Sequence, residues 1–131
     1  MSHLVETTTN FTNEDYITSA LTKMEVNMSM IRTCIQKEAI TDYYGHKSNK
    51  KANLIVKKGA IRGTHSEVGF EKMENGTYNV HYDGMDRNWM QQLTQSYSQV
   101  IVEDQLEQQG FSLNNIENKN GDMVLNFIRW R

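Results

Sequence analysis

The longest regular pattern of apolar and polar positions lies in residues 86–110. Apolar residues recur there every three or four positions, as they do on one face of an α-helix: Met90, Leu93, Tyr97, Val100 and Ile101. Asp86 can cap the start of this helix, and Gly110 can end it in a left-handed conformation. At 1.5 Å per residue such a helix is about 35 Å long, which is enough to cross a sheet.

A shorter helix is predicted near the N-terminus, after a strand that covers residues 2–10. Thr12 is the predicted N-cap, and acidic residues occupy the first turn, where the helix dipole favours negative charge. Phe11 and Tyr16 have the spacing of a hydrophobic staple around that cap. The pattern predicts that this helix ends between residues 25 and 27.

Four strands are predicted between the two helices. The first two cover residues 31–42 and 52–58 and flank a polar loop, GHKSNKK. Residues 67–83 predict a hairpin that turns at Asn75-Gly76. A three-residue loop pairs Phe70 with Val80 and keeps the apolar residues on one face, whereas a two-residue loop splits them, so the sequence favours the longer loop.

A second hairpin is predicted after the long helix, in residues 111–116 and 122–130, with its turn at Asn120-Gly121. Either loop length leaves apolar residues on both faces, so its register stays open. The element order is β-α-β-β-β-β-α-β-β, which predicts one α+β domain over residues 1–131. In it, two helices pack on one face of a single antiparallel sheet. The strand–helix–strand–strand unit occurs twice, so a duplicated ferredoxin-like layout is compatible with this order.

Composition narrows the class of protein. The chain has 131 residues, 37 % of them hydrophobic, and a net charge of only -2, which excludes the usual signature of disorder. No apolar run is long enough for a membrane span, and no N-terminal signal is recognisable. With a single cysteine, Cys34, the sequence predicts a cytoplasmic setting and an inert, buried thiol.

Several short features resemble one family. They are the N-terminal Ser-His, the strand ANLIVK, the EVGF segment before an Asn-Gly turn, Trp89 with Tyr97 in the long helix, and the terminal Arg-Trp. The chain is similar to the family of hypothetical chloroplast reading frame thirty-five, found in red-algal plastids, cyanobacteria and other bacteria. Residues 24–49 depart from its pattern, as in a divergent member carried by a phage of such hosts.

The resemblance implies a role through a partner rather than a reaction. The family has no established activity, and its bacterial relatives tend to be encoded beside an AAA-type ATPase and small partner proteins. The first hypothesis is therefore a non-enzymatic adaptor or accessory protein that acts through a protein partner. By the same resemblance, the plastid stroma is an alternative location to the cytoplasm.

Candidate binding residues follow from the same resemblance. His3, Tyr97, Arg129 and Trp130 are predicted to contribute to a binding surface. A second alternative hypothesis is an enzyme with a polar pocket near the first three of these residues. Arg129 and Trp130 fall next to each other on a strand, so they point to opposite faces, and aromatic and arginine side chains are common interface anchors.

No metal or cofactor site is predicted. The histidines lack the close spacing of known metal motifs, and no glycine-rich loop joins a strand to a helix. His81 and Asp83 lie two residues apart on a strand, where the simplest interpretation is a pair of solvent-side polar residues.

A basic stretch in residues 47–62 supplies the first alternative hypothesis, a nucleic-acid-binding module. Its predicted contacts are Lys47, Lys50 and Lys51. Tyr43 and Tyr44 come just before them and could stack on bases. The acidic end of the long helix could, in turn, meet a basic partner.

Overall fold

The computed structural model describes residues 4–84 and 88–129. The helices are α1 (Glu14–Lys23), a short 3-10 helix (Met28–Met30) and α2 (Asn88–Gln108). The strands are β1 (Val5–Thr8), β2 (Ile31–Thr41), β3 (Lys47–Val56), β4 (Val68–Lys72), β5 (Tyr78–Tyr82), β6 (Phe111–Lys119) and β7 (Asp122–Arg129). The predicted α+β class and the predicted order of elements are confirmed.

The strands form two sheets, where the sequence predicted one. Five strands pair antiparallel in the order β1-β5-β4-β3-β2, and β6 and β7 pair only with each other. Both helices cover the same face of the five-stranded sheet. Their buried residues, such as Ile17 and Leu93, share one core with Phe70 and Val80 of the sheet.

The predicted register of the β4–β5 hairpin is confirmed. Phe70 lies opposite Val80, and the backbone N–H of Met73 donates to the carbonyl of Thr77 at 2.8 Å, which leaves a three-residue loop. Gly76 has φ = 90°, a conformation that side chains disfavour. Burial of the alternate residues on the helix-covered face therefore selected this loop.

The predicted stripe of α2 is confirmed, with one addition. Leu93, Tyr97 and Val100 are buried, and Trp89 joins them against the ring of Tyr82 at 4.9 Å. Gly110 follows the helix with φ = 93°. The proposed cap at residue 86 lies outside the described residues.

The start of α1 differs by one residue from the prediction. Asn13, not Thr12, is the N-cap, and its side chain accepts from the backbone N–H of Tyr16 at 3.1 Å. The hydroxyl of Tyr97 accepts from the N–H groups of both Thr12 and Asn13. This long-range contact holds the residues before the helix and moves the cap forward.

The predicted polar loop before β3 is too long, because residues 47–51 belong to the strand itself. They continue the pairing with β2 up to Thr41 and Lys47. On the second face of the sheet, β2 and β3 pack closely on Gly69, where a Cβ atom would lie 2.8 Å from both Ala52 Cβ and Ile40 Cγ2. A small second core of Ile40, Ala52 and Ile55 results.

The β6–β7 hairpin has a two-residue loop, which is one of the two loop lengths that the sequence left open. Lys119 pairs with Asp122, and the turn residues Asn120 and Gly121 both have positive φ, 52° and 84°. This is the geometry of a type I′ turn, whose twist suits a hairpin. The pairing shifts at residue 114, which has no partner on β7.

Candidate functional sites

The β6–β7 hairpin carries an apolar face. Side chains alternate along a strand, so the pairs of this hairpin assign each residue to a face. One face collects six apolar residues: Phe111, Leu113, Ile116, Met123, Leu125 and Phe127. The unpaired Asn114 makes this possible, because it absorbs the irregular spacing between Leu113 and Ile116.

No residue of β6 or β7 is buried, and none belongs to either hydrophobic core of the described chain. Ile116 is 47 % exposed. At the base of the hairpin, the guanidinium of Arg129 lies 5.3 Å from the centre of the Phe111 ring. A two-stranded hairpin is marginally stable by itself, so this face is an apolar surface without a core of its own.

The end of α2 that leads into this hairpin is acidic. The helix contains Glu103, Asp104 and Glu107 and no lysine or arginine. Lys23 of α1 donates to Glu103 at 3.1 Å, and the hydroxyl of Tyr16 donates to Asp104, a hydrogen bond that raises the pKa of Tyr16. Because the C-terminal end of a helix dipole is itself negative, these charges are unfavourably placed.

A basic and aromatic cluster lies at the turn between β2 and β3. Tyr43 and Tyr44 are 46 % and 57 % exposed, and their rings meet edge to face at 5.0 Å. The ammonium of Lys58 lies 4.8 Å from the centre of the Tyr43 ring and donates to the Tyr43 carbonyl. His65 approaches Tyr43 from another side, at 5.9 Å.

The three lysines named from the sequence do not form one surface. Lys50 and Lys51 are neighbours on β3, so they point in opposite directions, and Lys50 is half-buried while Lys51 is exposed. Lys47 is exposed at the start of the strand. The lysine that meets the exposed tyrosines is Lys58, which the sequence placed in the basic stretch without singling it out.

The interpretation of His81 as a solvent-side residue is wrong, because its side chain is fully buried. Its Nε2 lies 2.8 Å from Glu71 Oε1 and its Nδ1 lies 3.6 Å from Glu6 Oε1, both on the sheet face away from the helices. The hairpin register could have predicted the contact between these two side chains, since it places Glu71 and His81 on the same face of neighbouring strands.

The two described residues of the predicted binding set, Tyr97 and Arg129, lie in different parts of the structure. Tyr97 is buried in the main core, stacks on Phe11 at 4.2 Å and lines a groove of about 510 Å³ between β1 and α2. Arg129 belongs to the separate β6–β7 hairpin. His3 and Trp130 lie outside the described residues, and the enzymatic hypothesis stays a prediction.

The thiol of Cys34 is half-buried on β2, and not fully buried as the sequence predicted. Burial and the neighbouring Glu38 raise its pKa, whereas Arg32 lowers it, and the net direction is upward. Since the thiolate is the reactive form, this environment favours the inert thiol that was expected.

These features define an α+β protein with two helices on a five-stranded sheet and an appended apolar hairpin. No helix among the described residues has the length and apolar character needed to span a membrane. A family model described as "Protein of unknown function (DUF1257)" matches residues 20–125, so the chain belongs to that family. No curated protein and no solved structure matches the chain.

Proposed function

We propose that this protein is a non-enzymatic adaptor that binds a protein partner through the apolar face of the β6–β7 hairpin. The observation that carries the proposal is the set of six apolar residues on one face, none of them buried. Ile116 is exposed and the other five are half-buried, and apolar patches that stay accessible to solvent are typical of protein interaction sites. Burying this face would also stabilise a hairpin that lacks a core.

The charge beside this face indicates the chemistry of the partner. The acidic end of α2 carries three carboxylates at the negative end of the helix dipole, and Glu107 is exposed there. A partner with an apolar surface and a basic rim would bury the hairpin and offset these charges. A second copy of this chain would present the same acidic helix end, so a different protein fits better.

The resemblance to the chloroplast reading frame thirty-five family suggests one candidate. Its bacterial relatives tend to be encoded beside an AAA-type ATPase, and an ATPase complex with a basic contact surface would have the required chemistry. The proposed role is to link that partner to other proteins, in the cytoplasm or in a plastid stroma. An origin in a phage of such hosts is part of this proposal.

The test is affinity purification of the tagged chain from its own host, with nuclease treatment, followed by reconstitution with the purified partner. The test variant carries Leu125→Ser and Phe127→Ser on the apolar face. The matched control carries Val124→Ser and Ile128→Ser on the opposite face of the same strand. We expect the test variant to lose about tenfold or more in affinity and the control to bind like the original chain, since a few central apolar anchors dominate an interface.

Two further measurements separate the alternatives. Glu107→Gln should weaken the reconstituted complex modestly and reduce its dependence on salt, because it removes one exposed charge from the rim. Equal loss in the test and control variants would contradict the proposal. The purified original chain could form a dimer while the test variant stays a monomer. In that case the apolar face binds a second copy of this chain and not a different protein.

A second candidate function, nucleic-acid binding, is favoured by the exposed tyrosines beside Lys58. Two accessible rings and a cation at one turn are suitable for stacking on unpaired bases and for contacting a phosphate. The surface differs from the one predicted, since it consists of Tyr43, Tyr44 and Lys58, whereas Lys50 and Lys51 point to opposite faces of the adjoining strand.

Fluorescence anisotropy with a labelled single-stranded oligonucleotide tests this candidate. Tyr44→Ala and Lys58→Glu should each weaken binding, and the lysine variant should also reduce its salt dependence. Lys119→Glu, at the tip of the β6–β7 hairpin, is the matched control for charge. If both variants bind as the control does, this candidate function is excluded.

A further inference from the structure

A polar cluster interrupts the second face of the five-stranded sheet. His81 of β5 lies opposite Glu6 of β1, and Glu71 of β4 stands on its other side. The three side chains offer ligand atoms within 4.8 Å of one another. They belong to three adjacent strands, so the sheet itself fixes their spacing.

The first step concerns the proton on the imidazole ring. His81 Nε2 lies 2.8 Å from Glu71 Oε1, and Lys37 Nζ lies 3.0 Å from Glu71 Oε2. Lys37 thereby forms a salt bridge with Glu71, which stabilises the ionised form of this carboxylate. An ionised carboxylate can only accept, so Nε2 carries the hydrogen and donates it to Glu71.

The second step concerns the other ring nitrogen. In a neutral ring whose Nε2 is protonated, Nδ1 carries a lone pair. This Nδ1 is fully buried and makes no hydrogen bond within the described chain. Glu6 Oε1 lies 3.6 Å away, and it is also an electron-rich atom. Two such atoms facing each other, one of them fully buried, call for an electron-poor centre between them.

The spacing fits a metal ion. Two ligands of a tetrahedral zinc ion, each about 2.0–2.1 Å from the metal, lie roughly 3.3 Å apart. A histidine that binds a metal usually donates its other N–H to a carboxylate, which fixes the tautomer and orients the ring. Glu71 already has that relation to His81, and Lys37 holds Glu71 in turn.

We propose that Glu6 and His81 Nδ1 bind a first-row divalent cation of the zinc class, with Glu71 as the residue that orients His81. The nitrogen ligand favours such an ion over magnesium or calcium, which prefer oxygen ligands. The side chain of Glu6 is 41 % exposed, so water can complete the coordination from that side. This site lies on the five-stranded sheet and is independent of the proposed partner surface on β6–β7.

The test is a titration of the untagged, metal-stripped protein with Zn²⁺, followed by calorimetry and by the ring-nitrogen resonances of His81. We expect one ion to bind per protein chain and the Nδ1 signal of His81 to shift. Co²⁺ should give the visible absorption of a low-symmetry site. Glu6→Gln removes a ligand from a partly exposed position, so it should fold and lose about tenfold or more in affinity, and Glu71→Gln should lose a similar factor through the ring orientation.

Glu74→Gln, at the exposed tip of the same hairpin, is the matched control and should bind as the original chain does. Unchanged affinity in Glu6→Gln would overturn the proposal. So would a His81 Nδ1 signal that ignores Zn²⁺ and reports a bound proton at neutral pH, because an imidazolium would then bridge the two carboxylates instead of a metal.

Discussion

Two hairpins of this protein turn at the same dipeptide but have opposite environments. The β4–β5 hairpin turns at Asn75-Gly76 inside the five-stranded sheet, and every residue of β5 is buried. The β6–β7 hairpin turns at Asn120-Gly121, and no residue of its strands is buried. An Asn-Gly pair therefore predicts where the chain reverses, but it does not predict whether the hairpin joins a core.

The two loops also differ in length, and each length has its own physical cause. In β4–β5, burial of alternate residues selects a three-residue loop, because a shorter one would expose half of the apolar set. In β6–β7, no buried face decides, so the turn adopts the type I′ geometry that Asn-Gly prefers. The bulge at Asn114 then gathers the apolar residues on one side.

The largest expected effect comes from removing a phenylalanine from each hairpin. Phe70 of β4 is fully buried, so Phe70→Ala should lower the free energy of unfolding by about 3–5 kcal/mol. Phe127 of β7 is only half-buried, and Phe127→Ala should cost below about 1 kcal/mol. Urea unfolding followed by circular dichroism measures both values. Similar costs would mean that β6–β7 is part of the cooperative core.

The second prediction concerns the close approach at Gly69, which has no counterpart in β6–β7. Gly69→Ala adds a Cβ atom 2.8 Å from the side chains of Ile40 and Ala52, and overpacking of this kind costs about 1–3 kcal/mol. Thermal unfolding of the variant measures the loss. Adding Ala52→Gly to the variant should recover part of it, and a Gly69→Ala protein as stable as the original would contradict the close packing seen here.

The third prediction compares the two turn glycines. Gly76 and Gly121 both have positive φ, so an alanine at either position costs about 1 kcal/mol in the turn. Gly76→Ala should lower the global free energy of unfolding by that amount. Gly121→Ala should leave it unchanged and should instead speed amide hydrogen exchange within β6–β7, because local opening uncouples this hairpin from the core. A global loss in both variants would show that the hairpins unfold together.

The features predicted correctly from the sequence are those where burial enforces a pattern. The apolar stripe of α2 and the pairing of Phe70 with Val80 both follow from residues that must leave water. The start of β3 was missed, because Lys47 and its neighbours are polar and their strand is held by pairing with β2 rather than by a core. The polar composition of residues 47–51 therefore predicted their exposure to solvent but not their strand conformation.

The polar cluster was missed for a different reason. His81 was compared with Asp83, its neighbour in sequence, although its contacts are Glu6 and Glu71 on adjacent strands. The register of β4–β5 already placed Glu71 near His81, but the place of β1 beside β5 is a long-range pairing that no local pattern indicates. Sites that cross strands therefore depend on the order of strands in the sheet, and local sequence patterns do not determine that order.

The smallest expected effect tests what holds the base of β6–β7 together. Arg129 pairs with Phe111 across the hairpin, and its guanidinium lies 5.3 Å from the ring centre. An exposed contact between a cation and a ring is worth about 0.5–1 kcal/mol. Arg129→Gln should therefore leave the global unfolding midpoint unchanged and raise amide exchange rates in the first residues of β6 about twofold to fivefold, since the hairpin opens locally.

The control for this last change lies at the other end of the same hairpin. Lys119→Gln removes a cation whose contact is a surface ion pair with Glu117 at 3.3 Å, so exchange at the base should not respond. If Arg129→Gln and Lys119→Gln alter exchange equally, the effect is one of net charge and not of the contact with Phe111. If instead Arg129→Gln lowers global stability as Phe70→Ala does, the contrast between the two hairpins fails, because the exposed hairpin would then belong to the same cooperative unit as the buried one.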